Sequence, residues 1–283
     1  TPSFAIAPNS SLVGMRTAID RDALDVTLRT RGPWRRVDVL AEAESTNALA
    51  LAAEGPWEVV LAELQTRGRG RLDRSWEAPA GASLTFSATV PLPPAPGWAP
   101  LAAGLAAAEA VTAVTGLPAV LKWPNDVLLP GDGERKLAGV LCELRPATPR
   151  AAGFVVVGVG LNVDQTRAEL PVPTATSLAL AGWAAPERSG LLVAILDRLA
   201  DRSAALVAGG AAAEGVRAAY RAACVTVGAE VRLGTLAGAT VRARAVGIDQ
   251  DGALLVDPGS GIERYAAGDV THVRPTDTGV GLA

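Results

Sequence analysis

Between residues 119 and 163 the chain passes through four short apolar stretches, 119–122, 127–129, 137–144 and 154–163, separated by turn chemistry. The shorter stretches suit strands better than helices, and Pro130-Gly131-Asp132-Gly133 has the composition of a hairpin turn. Successive strands joined by short turns favour a mixed, largely antiparallel sheet. Within it, Phe154-Val155-Val156-Val157-Gly158-Val159 reads as a central strand buried on both faces.

The rest of the chain extends this sheet. Residues 36–43 read as a strand with Val37, Val39 and Ala41 on one face; 59–65 read as another, and 83–90 alternate Leu84, Phe86, Ala88 and Val90. Glu44-Ser45-Thr46-Asn47 precedes an Ala/Leu-rich helix that ends at Gly55, so Ser45, Thr46 and Asn47 read at least as capping residues. Helices are predicted over 16–30, 99–115, 188–208 and 211–222. The alanine-rich 99–115 segment contains Glu109 and follows a proline-rich loop, so it reads as a buried helix rather than a membrane span. After Cys224 the texture changes to short strands, 230–233, 240–248, 253–257 and 262–265, with turns such as Asp249-Gln250-Asp251-Gly252. This is a small all-β unit of about 50 residues with a barrel-like pattern. The expected organisation is an N-terminal tail and helix (1–35), an α+β core (36–222) and a β domain (223–283), with the sheet of the core flanked by helices. One helix before Pro33 is too little for a helix-turn-helix, and the first 14 residues lack the pattern of a signal peptide.

Composition narrows the chemistry. One histidine, His272, and two cysteines, Cys142 and Cys224, exclude a zinc cluster of Cys₄ or Cys₂His₂ type and a disulfide framework. Low cysteine usage suits a reducing, cytoplasmic setting. His272 reads as a surface or turn residue, Cys142 and Cys224 as small buried hydrophobes, and Trp34, Trp57, Trp98 and Trp183 as packing residues. A net charge of −3 argues against a chain-wide nucleic-acid surface.

Two segments depart from this bland background. In Gln65-Thr66-Arg67-Gly68-Arg69-Gly70-Arg71-Leu72-Asp73-Arg74-Ser75-Trp76, four arginines against one aspartate give a local charge of +3. Gly68 and Gly70 free the backbone, and arginine forks match phosphate and carboxylate oxygens. The segment is neither a dinucleotide fingerprint nor a P-loop; on its residues alone it is an anion cradle or a solvated basic loop. The second segment is Lys122-Trp123-Pro124-Asn125-Asp126, followed by Lys136-Leu137-Ala138-Gly139, where Gly139 permits a close ligand approach. It too has two readings, a ligand site or an ordinary turn with Asp126 capping backbone amides.

Taken in order, Ser45-Thr46-Asn47, Gln65-Thr-x-Gly-Arg-Gly-Arg, Lys122-Trp-Pro-Asn-Asp, Lys136-Leu-Ala-Gly and Gly158-Val159-Gly160-Leu161-Asn162 resemble the biotin protein ligases, over roughly residues 36–275. The resemblance implies a core of the class II synthetase and biotin ligase type, an SH3-like C-terminal domain, and the monofunctional form without a DNA-binding domain. It implies activation of biotin by ATP as biotinyl-5′-AMP and transfer to a lysine of a biotin carboxyl carrier domain. Partners are then biotin, ATP with Mg²⁺, and the carrier domain, with no nucleic acid and no membrane. Ser45, Thr46, Asn47, Gln65, Gly68, Arg69, Arg71, Lys136, Gly139 and Gly158 match positions around biotin. Arg71, Arg74, Trp76, Lys122, Asn125, Asp126 and Asn162 match positions around ATP or the adenylate, with Mg²⁺ on the phosphates near Asp126. Lys136, Arg69, Arg71 and Lys122 would carry the reaction, Lys136 first. Asp73, where relatives often carry Gly or Asn, and the long turn 130–135 depart from the pattern. Same-fold rivals are a lipoate ligase or octanoyl transferase; a biotin-sensing repressor is the rival of another class.

Overall fold

The computed structural model describes residues 16–71, 74–148, 152–183, 187–234 and 240–266, and the backbone of 269–272. Leu72, Asp73 and residues 1–15 lie outside the described residues, as does the His272 side chain.

The core is a seven-stranded sheet. Its strands are β1 (Arg36–Ala43), β2 (Glu58–Gln65), β3 (Ser83–Pro91), β4 (Val120–Lys122), β5 (Asp126–Leu129), β6 (Arg135–Arg145) and β7 (Phe154–Asn162). The order β1-β2-β3-β7-β6-β5-β4 has one parallel pair, β1 with β2, and is otherwise antiparallel, a mixed and largely antiparallel α+β fold. Every residue of β7 is buried, consistent with the expected central strand. β3 is buried from Ser83 to Val90 rather than on alternate residues, because both of its faces are covered.

Helix α1 (Arg21–Arg31) packs on β1 and on helix α4 (Arg188–Ala208), so this segment belongs to the core. It starts at Asp20, which accepts from Ala23 N, rather than at Arg16. The chain before it is pinned: Arg188 donates to Glu63 at 2.7 Å and to Thr17 O, while Ile19 N donates to Glu63 at 2.8 Å. Helix α2 (Thr46–Ala50) is a single short helix capped by Ser45, not a helix running to Gly55. After Leu51 the chain is in tight turns, because Gly55 and Pro56 cannot continue a helix and β2 must begin at Glu58. α3 (Trp98–Thr115) ends in a left-handed Gly116 at φ 74° and is the one described helix long and apolar enough to cross a membrane; here most of it is buried against α4 (Arg188–Ala208), α5 (Gly210–Ala223) and the sheet.

A second sheet holds β8 (Glu230–Gly234), β9 (Thr240–Ile248), β10 (Leu254–Asp257), β11 (Glu263–Tyr265) and β12 (Asp269–His272), in the antiparallel order β11-β10-β9-β8-β12. It is seated on the core: Trp98 Nε1 donates to Gln250 O at 2.9 Å and Trp123 Nε1 to Gly252 O at 3.0 Å. Thr226 Oγ1 also accepts from Trp123 N at 3.0 Å. The Asp249–Gly252 turn thus docks beside the Lys122–Asp126 turn.

Candidate active site

The two glycine-and-cation segments and the Ser45 cap converge on one cavity of about 260 Å³. It lies over the middle of the large sheet. Fourteen of the expected site residues line it: Ser45, Thr46, Asn47, Gln65, Arg69, Arg71, Arg74, Trp76, Lys122, Asn125, Asp126, Lys136, Gly139 and Gly158. Gly68 and Asn162 do not. Gly68 faces the returning arm of its own loop, where an added Cβ would lie 2.3 Å from Trp76 O. Asn162 is buried behind the sheet end; its amide donates to Thr176 O at 2.9 Å and its carbonyl accepts from Gln165 at 2.8 Å.

One end of the cavity is a network of mostly neutral polar groups anchored on one carboxylate, Glu143. Gln65 Oε1 accepts from Thr46 N at 2.7 Å and Thr46 Oγ1 at 3.0 Å. Asn47 Nδ2 donates to Glu143 at 2.7 Å and to Leu141 O at 3.2 Å. Its Oδ1 and Thr46 Oγ1 both lie within 2.7 Å of the Ser87 hydroxyl. Gly158 makes room for this network, since a Cβ there would meet Asn47 Oδ1 at 2.1 Å. Ser87 and Glu143 escaped sequence analysis. A serine inside a wholly buried strand was the one available signal for Ser87.

The other end is cationic. The loop between β2 and β3 turns back on itself, with Trp76 N donating to Gly68 O at 2.9 Å and Gly70 N to Arg74 O at 2.7 Å. Arg69 pairs with Glu143 at 2.8 Å, and Arg71 donates to Asn125 Oδ1 at 3.2 Å. Asn125 is fixed in turn by Val140, to whose carbonyl it donates at 3.0 Å. Lys136 Nζ sits 2.6 Å from Asp126 Oδ1, between β5 and β6. The Trp76 ring covers Gly160, where a Cβ would be 2.2 Å from the ring, and its buried indole N–H has no acceptor. A buried donor without a partner on a cavity wall marks a place for a ligand acceptor.

Chemically, the cavity pairs a largely neutral donor–acceptor face with a cluster of cations, of which Lys136 is paired with Asp126 and Arg69 with Glu143. Such a site can orient an uncharged ring at one end and hold two anions together at the other. Among the described residues no group of three His, Cys, Asp or Glu side chains could hold a metal by itself.

Comparison with known proteins agrees with this geometry. Residues 44–162 match the Biotin/lipoate A/B protein ligase family and residues 226–273 match the Biotin protein ligase C terminal domain. The chain is 40% identical over 273 residues to the biotin–[acetyl-CoA-carboxylase] ligase of Mycobacterium tuberculosis, covering 92% of this chain and 98% of that one. The chain belongs to the biotin protein ligase family. It is also 30% identical to the bifunctional ligase/repressor BirA of Bacillus subtilis, over 82% of this chain and 72% of that one. Among solved structures, the biotin protein ligase of Aquifex aeolicus in complex with biotin and ATP aligns with a TM-score of 0.72 and 27% identity. That alignment covers 85% of this chain and 100% of the Aquifex ligase.

Proposed function

We propose that the chain is an ATP-dependent biotin–[acetyl-CoA-carboxylase] ligase that works through biotinyl-5′-AMP. A carboxylate oxygen of biotin attacks the α-phosphorus of ATP and pyrophosphate leaves. The amine of a lysine on the carrier domain then attacks the carbonyl of the mixed anhydride, AMP leaves, and the amine loses its proton. The observation that carries this reading is the joining of the two unlike ends in one cavity. Thr46, Asn47 and Gln65 present hydroxyl and amide groups suited to the cyclic urea of biotin, while Arg69, Arg71, Lys122 and Lys136 line the cationic end.

The first step brings a carboxylate to a polyanion, so its barrier is largely electrostatic. Lys136 is assigned the central role: its ammonium can exchange Asp126 for the reacting carboxylate and α-phosphoryl oxygens. Arg71 and Arg69 hold the adenylate until the carrier arrives. Trp76, with its unpartnered indole N–H, is assigned to the adenine. Asp126 fits a Mg²⁺ ion carried on the ATP phosphates, because magnesium uses one or two carboxylates and keeps several waters. When bound, that ion would neutralise phosphate charge. Positioning two substrates side by side supplies much of the remaining acceleration, about 7–11 kcal/mol in well-oriented pairs. Residues 36–222, with α1 packed on them, form the catalytic unit in this reading, and 223–283 the smaller domain.

The test is incubation with ATP, Mg²⁺ and labelled biotin, with and without a biotin carboxyl carrier domain. Label should appear on one carrier lysine and only with ATP present. Lipoate in place of biotin should give none. Absence of ATP-dependent label on the carrier would overturn the proposal, and equal use of lipoate would overturn its substrate.

A further inference from the structure

Residues 173–176 have no regular secondary structure, yet all four of their carbonyls are taken by groups from elsewhere. Pro173 O accepts from Arg135 Nε at 3.2 Å and Thr174 O from Lys136 N at 2.8 Å. Ala175 O accepts from Arg167 at 2.7 Å and Thr176 O from Asn162 at 2.9 Å. Thr176 N in turn donates to Lys136 O at 2.9 Å, so the backbone of Lys136 is clasped on both its N–H and its C=O. At this end β6 is paired with β5 through Leu128, and its pairing with β7 begins only at Ala138. Residues 174–176 therefore stand in for the missing strand beside Lys136.

One carboxylate ties the strap to the β5–β6 turn. Asp132, in the turn between β5 and β6, accepts from the fully buried Thr176 hydroxyl and pairs with Arg135 and Arg167, the latter at 3.5 Å. The same two arginines hold Pro173 and Ala175. Burial alone would raise the Asp132 carboxyl, but the Thr176 hydroxyl and the two guanidiniums hold it below the usual range. This is the long turn that the sequence marked as a departure from the family pattern.

We infer that Asp132 is a positioning residue for the reaction: through Thr176 and the 173–176 strap it fixes the backbone from which Lys136 reaches the cavity. The inference rests on the catalytic reading of Lys136. Asp132 does not line the cavity, so it acts on the placement of the ammonium and not on substrate contacts. Displacements on the order of 1 Å at a reacting group cost up to about 100-fold in rate.

The test compares Asp132→Ala, Thr176→Val, Asp132→Asn and Lys136→Ala in biotin-dependent pyrophosphate release, with melting temperature measured alongside. Thr176→Val keeps the shape of the side chain and removes the hydroxyl that donates to Asp132, so it serves if Asp132→Ala folds poorly. The expected result is a roughly tenfold lower kcat for Asp132→Ala and Thr176→Val, with the KM for biotin and for ATP within about twofold of the parent. Asp132→Asn, which can still accept from Thr176, should recover most of that loss. If Lys136→Ala is inactive while Asp132→Ala and Thr176→Val keep the parent kcat, the positioning role is wrong and the role of Lys136 stands. A loss that appears in KM, or that Asp132→Asn does not recover, also overturns it. If Lys136→Ala retains near-parent activity, the catalytic reading itself fails.

Discussion

At one end of the cavity Ser45, Thr46, Asn47 and Ser87 are buried; Ser45 caps α2 through Ala48 N, and the other three bond chiefly to each other, to Gln65 and to Glu143. At the other end Arg69 and Arg74 are exposed, and Arg71, Lys122 and Lys136 are half-buried. Here charges borrow partners from other elements, Arg69 from β6 and Lys136 from β5. A buried hydrogen-bond network discriminates by geometry, because a wrong group leaves a buried donor or acceptor unmatched. Long cations at partly wet positions discriminate by charge and can shift to follow it. The cavity thus has a rigid end for recognition and an adaptable end for chemistry, and Glu143 is bonded to both, through Asn47 and Arg69.

The largest expected effect probes the two ends through neighbouring glycines of one strand. Gly158→Ala would drive a methyl into Asn47 Oδ1, whose amide is already fixed on Glu143 and Leu141. The KM for biotin should rise roughly 30-fold with that for ATP unchanged, in keeping with an unmatched buried polar group. Gly160→Ala meets the Trp76 ring instead, on the loop side. It should raise the KM for ATP roughly tenfold, the scale of one base–aromatic stack, and leave biotin nearly untouched. Steady-state kinetics with each substrate varied would show it, and a reversed pattern would end the division into rigid and adaptable ends.

Next in size is Arg71→Gly. The structure ties Arg71 to Asn125 across the cavity mouth. Losing one charge-assisted hydrogen bond to the adenylate should release it to solution about tenfold faster. The released anhydride would label bystander lysines, read as biotinylation of an unrelated protein in the same tube. Unchanged selectivity for the carrier would remove Arg71 from adenylate retention.

Sequence and structure part company along the same division. The strands of the core were legible because short apolar runs between turns have little else to become, and the glycine and cation motifs were legible because their residue types are unusual in a chain of this composition. Fourteen expected residues fall in one cavity for that reason. What stayed hidden depends on contacts far apart in the chain. Ser87 lies 40 residues from Asn47, and Glu143 lies 74 from Arg69. The 173–176 strap has no periodicity to read, because it pairs with β6 only at Lys136 and its other carbonyls go to side chains. Asn162 looked like a ligand contact from its motif, whereas in the fold its amide is spent on Thr176 and Gln165. The α2 helix is shorter than the Ser45 to Gly55 span suggests, because capping chemistry at Ser45 marks a start and carries no length.

Glu143→Gln tests the residue that joins the two ends. It removes the charge that holds Arg69 and keeps an acceptor for Asn47. Because Arg69 and Glu143 are both partly exposed, the pair is worth little in water, and KM values should move by only about two- to fivefold. The shift should shrink further in added salt, while the Gly158→Ala defect should not. Salt titration of both variants separates the two: a salt-independent Glu143→Gln effect would assign Glu143 to the rigid end alone.

The smallest effect at neutral pH concerns carboxylates outside the cavity. Hydrogen bonds from Arg16 hold Glu169 below its usual range, and Thr176 with Arg135 and Arg167 do the same for Asp132 against its burial. A carboxyl depressed in the folded state adds stability that is fully present above its unfolded pKa and is lost as pH falls through its folded one. Model carboxyls titrate near 4, so the melting temperature should be flat from about pH 6 to 8 and fall increasingly below about pH 4. Asp132→Asn cannot titrate and should give a shallower acid limb while lowering stability at pH 7. Both pairs lie away from the cavity, so the acid limb should be the same in the Lys136→Ala background. If Asp132→Asn leaves the slope of melting temperature against pH unchanged between 5 and 3, the carboxylate is not held as these contacts require.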